Sequence, residues 1–88
     1  MSTMLDLSEI GFVKRITIGT RDPQAVQSHQ EIEHAVNVLN RALSDIPRGR
    51  IIAIERSFHV FTIQDNVVVL QWICYHLGFP RRPAWLTE

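Results

Sequence analysis

A lone cysteine, Cys74, excludes a disulfide within the chain, and no group of Cys and His has zinc-ligand spacing, so the sequence announces neither a covalent nor a metal staple. The thiol alone fits a reducing, cytoplasmic setting. Surplus charge is also missing: nine basic and nine acidic residues cancel, which removes the global electrostatic signature of a nucleic-acid binder. Long apolar runs are absent. The longest, such as Val67 to Leu70, is far too short for a bilayer, and Met1 to Leu7 lacks the basic start of a targeting segment. There is no repeat and no low-complexity tract. The four glycines are isolated at Gly11, Gly19, Gly49 and Gly78, so no glycine-rich phosphate loop is present. No cofactor and no metal is assigned on these grounds. With 88 residues the chain makes one domain, which buries roughly two-thirds of its unfolded surface and is marginal without help.

What the chain has is a long β-hairpin. Arg50 to Ile63 and Val67 to Phe79 are dense in β-branched and aromatic residues, and Asp65-Asn66 between them tolerates the positive φ of a tight turn. Ahead of it, Phe12 to Thr20 alternates as a half-buried strand, with Phe12, Ile16 and Ile18 on one face and Val13, Arg15 and Thr17 on the other. Lys14-Arg15 suits a sheet edge. Pro23 breaks this strand, and Ser28-His29-Gln30-Glu31 has capping-box spacing for a helix start. Ile32, Val36, Leu39, Leu43 and Ile46 then recur as an apolar stripe, widened by Ala35 and Ala42, and Pro47-Arg48-Gly49 ends the helix.

The fold class is α+β: β-α-β-β, a three-stranded sheet containing the long C-terminal hairpin, with one helix packed on one face. A right-handed crossover makes the first strand parallel to the second; the apolar continuity of the third favours it for the middle, with direct pairing of the first strand to the second as the alternative. The single domain runs over 12–79, after a mobile lead-in (1–11) and before an extended tail (80–88) whose prolines and arginines cannot continue a central strand.

A two-residue turn at Asp65-Asn66 sets Gln64 opposite Val67. One hairpin face then carries Ile52, Ile54, Arg56, Phe58 and Val60 with Phe79, Leu77, Tyr75, Ile73 and Gln71, and this face is placed under the helix. The other pairs Glu55 with His76, Ser57 with Cys74, His59 with Trp72, Phe61 with Leu70 and Ile63 with Val68. Its apolar end, Phe61, Ile63, Val68, Leu70, Trp72 and His59, predicts an interface with a protein partner, most simply in a homo-oligomer, dimer or higher.

Three readings of function follow. The leading one is a small cytoplasmic, non-enzymatic protein acting through self-association or partner binding on that apolar face. In the second, Arg48, Arg50, Arg81 and Arg82, gathered at one end of the sheet, hold nucleic acid or another anionic partner, with Trp85 close by for stacking; the balanced charge works against it. The third uses the face of Cys74, His76, Glu55 and Trp72. There a thiol beside an imidazole and a carboxylate can act as a nucleophile, and Trp72 with His59, Phe61 and Leu70 can clamp a flat ligand. The order of strand, helix and hairpin is similar to that of dodecins, small flavin-binding proteins that assemble through such sheets. The likeness lies in element order, no binding motif is shared residue by residue, and no site is carried over.

Overall fold

The structure, a computed structural model, describes residues 7–86. A 3-10 helix at Leu7–Glu9 leads into strand β1 (Phe12–Gly19), helix α1 (His29–Ser44), and strands β2 (Arg50–Ile63) and β3 (Asn66–Phe79). Together they form an α+β unit: an antiparallel sheet in the order β1-β3-β2, with α1 on one face. The most continuously apolar strand, β3, occupies the centre, and β1, which carries Lys14-Arg15, lies at an edge.

α1 begins where its capping box places it. The Ser28 hydroxyl accepts from the Glu31 amide at 3.1 Å, and the Ser28 amide donates to the Glu31 carboxylate at 3.3 Å. Replacing Ser28 with Ala is expected to cost about 1 kcal/mol, lowering the melting temperature by roughly 4–8 °C in a calorimetric scan. The buried stripe is rotated from the one expected. Ala35, Val38, Leu39, Ala42 and Leu43 meet the sheet, whereas Val36 lies at the margin and Ile46, past the end of the helix, is 80% exposed. The two alanines let the backbone approach the strands, so the contact centres on them.

Leu77 and Phe79 are fully buried, with Ala42, Ile16 and Leu39 packed around them and Phe12 tilted against the Phe79 ring at 6.1 Å. Both flanks of the domain join this core. Gly11 donates its amide to the Phe79 carbonyl at 2.8 Å; residues 1–6 of the lead-in lie outside the described residues. The tail folds back on its own subunit instead of running extended. The Leu86 amide bonds to the Pro83 carbonyl at 3.1 Å, both side chains are buried, and the Arg41 guanidinium stacks 4.6 Å from the centre of the Trp85 ring. Among the described residues the Trp85 indole N–H has no hydrogen-bond partner.

The hairpin turns one residue earlier than expected. Gln64 and Asp65 adopt positive φ, 49° and 68°, so Ile63 faces Asn66 and Thr62 faces Val67. From the turn as far as Ala53, every cross-strand partner is thereby shifted by two residues. A shift of two leaves each side chain on its original face, so the apolar alternation cannot select between the two registers. Gln64 carries the strain of the left-handed conformation, which asparagine tolerates better. Gln64→Asn is therefore expected to raise stability by on the order of 0.5–1 kcal/mol in urea unfolding. A bulge between Ile51 and Ala53 corrects a second expectation. A Cβ placed on Gly78 would lie 2.7 Å from Ile10 Cδ1 and 3.1 Å from Ile52 Cγ2, so Ile52 joins Ile10 on the face away from α1 and does not accompany Phe79.

The helix covers only part of its face. Sixteen residues of α1 span about 24 Å, whereas the fourteen of each hairpin strand span about 46 Å. β1 also stops short, its last pair being Gly19 with Trp72. Gly19 ends it at φ 114°, where a Cβ would lie 2.5 Å from the Gln71 carbonyl oxygen. Beyond Ser57 and Trp72 the hairpin is a two-stranded arm, and the molecule is 51 Å long by 29 Å by 18 Å. On the helix side, Phe58 and Val67 are each 69% exposed, and Ile54, Val60 and Val69 about half. The face assigned to the helix is thus bare along the arm. Among the described residues, no helix is long and apolar enough to cross a membrane.

Candidate functional site

Two regions of the sheet carry the residues singled out above, and a single register places both. On the face away from α1, Thr17, Cys74 and Glu55 stand in one row across the three strands. Arg15, His76 and Ala53 form the next row towards the core end. Gly19, Trp72 and Ser57 form the next towards the arm. The middle of this face sinks into an open trough of about 530 Å³, walled by Arg15, Arg21, Glu55, Ser57, Trp72 and Cys74.

The expected pairs Glu55 with His76 and Ser57 with Cys74 are corrected: Glu55 faces Cys74, Ser57 faces Trp72, and His76 faces Ala53. The shift nevertheless gathers the chemical groups. Glu55 Oε1 hydrogen-bonds His76 Nε2 along the diagonal while Glu55 sits directly opposite Cys74. The thiol, an imidazole nitrogen and a carboxylate oxygen all lie within 4.8 Å of one another. His76 and Cys74 are half-buried, whereas Glu55 is exposed, so the group opens to solvent on the carboxylate side. A carboxylate that orients an imidazole beside a thiol can support nucleophilic chemistry, and the same three groups can ligate a metal ion. The three residues are the set expected from the sequence: Cys74 and His76 share a face by their spacing of two, and the register shift changes only which of them Glu55 faces.

The second region is the arm. His59, Phe61, Ile63, Val68, Leu70 and Trp72 share the face away from α1, with the His59 and Phe61 rings 5.3 Å apart. Phe61, Val68, Leu70 and Trp72 are half-buried, Ile63 is 43% exposed, and His59 is exposed. In the expected register Trp72 faced His59; it stands instead at the root of the arm between Gly19 and Ser57, with His59 opposite Leu70. Phe58, Val60, Val67 and Val69, on the other side, are more exposed than the apolar members of this set. Comparing the lengths of helix and hairpin would have pointed to them.

Comparison with protein-family models, with curated proteins and with solved structures found no match.

The arginines flank the end of the sheet opposite the arm tip, and all four are exposed. Two of them have intramolecular partners. Arg50 pairs with Glu9 at 3.5 Å, and Arg82 donates to the Leu86 carbonyl at 3.1 Å while its guanidinium lies 5.6 Å from the Phe12 ring centre. Arg48 and Arg81 make no such contact among the described residues. Trp85 is half-buried, packed against the core with the Arg41 guanidinium over its ring.

Proposed function

We propose that this protein is a non-enzymatic, self-associating module of the cytoplasm, and that the occupant of its bare hairpin arm is a second copy of the same chain. The observation that carries this reading is an arm with apolar side chains on both faces and neither helix nor third strand beside it. Isolated two-stranded hairpins are marginal in water, so an arm of this kind needs cover.

The area involved favours a copy. Ile54, Phe58, Val60, Val67 and Val69 leave on the order of 500 Å² of apolar surface on the helix side, at the upper end of what a monomer exposes. A stable interface removes roughly 800 Å² per partner. In a two-fold arrangement each copy gives an arm and receives one, so both faces of the arm count and this figure comes within reach. Zero net charge offers no complementarity to a strongly charged partner and no repulsion between copies. The cytoplasmic placement rests on the unpaired Cys74.

Sedimentation equilibrium of the full chain at micromolar concentration tests the reading. Reversible association into dimers or higher species is the expected outcome, and a strict monomer at high micromolar concentration would overturn it. The anionic-partner reading has less support, because Arg50 and Arg82 already have partners within the chain.

A further inference from the structure

The row of polar side chains on the face away from α1 holds more than a hydrogen bond. We propose that Glu55, Cys74 and His76 form a three-ligand site for a thiophilic divalent metal ion of the zinc class, with its fourth position open to the trough.

The ligand types and their geometry carry the proposal. Zinc takes thiolate sulfur, imidazole nitrogen and carboxylate oxygen together, at bond lengths of about 2.0–2.3 Å that put neighbouring ligand atoms about 3.3–3.8 Å apart. The three candidate atoms lie within 4.8 Å of one another, and small side-chain rotations that part the hydrogen-bonded Glu55–His76 pair and draw the thiol towards it reach these separations. They come from rigid elements: Cys74 and His76 are two residues apart on the central strand, and Glu55 faces Cys74 from β2. Backbone movement is not needed to gather them. Binding forms coordinate bonds from Sγ, from an imidazole nitrogen and from the carboxylate; the S–H bond breaks and its proton leaves to solvent, the Glu55–His76 hydrogen bond is lost, and the neutral imidazole keeps its proton on the nitrogen that does not ligate.

Three protein ligands and an unfilled position are the pattern of sites that bind a further molecule, whereas structural sites are closed by four. The two cations that flank this group, Arg15 opposite His76 and Arg21 at the rim of the trough, assign the open position to an anionic or water-derived ligand. A bound divalent ion with thiolate and carboxylate is neutral overall, so these guanidinium groups do not oppose it as they would a bare cation. The site lies on the other side of the sheet from Phe58 and Val69 and does not depend on self-association.

Cobalt(II) titration of the reduced, metal-free full-length protein tests the site. One equivalent per chain should produce a thiolate-to-cobalt charge-transfer band with the visible transitions of a four-coordinate ion, and zinc should displace it. Cys74→Ser should abolish the band, and His76→Gln and Glu55→Gln should each weaken cobalt binding at least tenfold. Circular dichroism should show all three variants folded, since the positions they change are exposed or half-buried. Zinc should also slow alkylation of Cys74 in the parent protein. Absence of the charge-transfer band in folded, reduced parent protein would overturn the proposal, as would a cobalt spectrum unchanged by Cys74→Ser.

Discussion

Phe58→Glu combined with Val69→Glu should yield a folded monomer at concentrations where the parent protein associates. The two positions lie on the helix-side face of the arm, 69% and 51% exposed in the single chain, so the substitutions cost the isolated fold little. In an assembly they bury two carboxylates without partners, and central apolar anchors of this kind are worth about 2–4 kcal/mol each when lost. A rise in the dissociation constant by a factor on the order of 1000 or more follows, readable by sedimentation equilibrium. Ile63→Glu, on the opposite face, separates the two possible surfaces. If it dissociates the assembly and the Phe58 and Val69 pair does not, the interface is the face away from α1. If neither does, the arm is not the seat of association.

Phe79→Ala has the largest expected effect on stability, at about 3–5 kcal/mol. A domain of this length is stable by roughly 4–13 kcal/mol, so the variant loses a large share of what holds it together. Its melting temperature should fall by about 15–30 °C. Phe79 is fully buried at the point where Phe12 and α1 meet the sheet, and the carbonyl of the same residue anchors Gly11. Phe58→Ala is the control. It removes the same side chain from the same hairpin at a site 69% exposed, and in dilute solution it should change stability by less than about 0.5 kcal/mol. Equal losses from the two variants, measured by urea unfolding, would mean that the core does not lie where Phe79 places it.

The elements and their order were legible from local rules. Ser28 and Glu31 announce the helix start and Lys14-Arg15 marks an edge, whereas the apolar continuity of β3 favoured the centre without excluding a direct pairing of β1 with β2, a choice the order β1-β3-β2 decides. Which residues share a face was legible too, since parity survives a register shift of two. The register itself was not, because Asp65 suits either turn and the positive φ at Gln64 breaks its own residue preference. Ile52 was misplaced for a related reason: a bulge is a local insertion that alternation cannot foresee. Glu55, Cys74 and His76 were grouped on one face from the sequence, but which of the two Glu55 faces needed the true register. The bareness of the arm followed from arithmetic available at the outset, a helix of 16 residues laid against strands of 14.

Every strand pairing among the described residues includes β3, the last of the three in chain order. While β1, α1 and β2 emerge from the ribosome there is no ladder for them to join, and the side chains that will form the core have nothing to close on. At about 5–20 residues per second the missing strand arrives roughly one to three seconds after the turn, and sheet and core then form together. A nascent chain halted before Asn66 is thus an unstructured chain with, at most, a fraying helix.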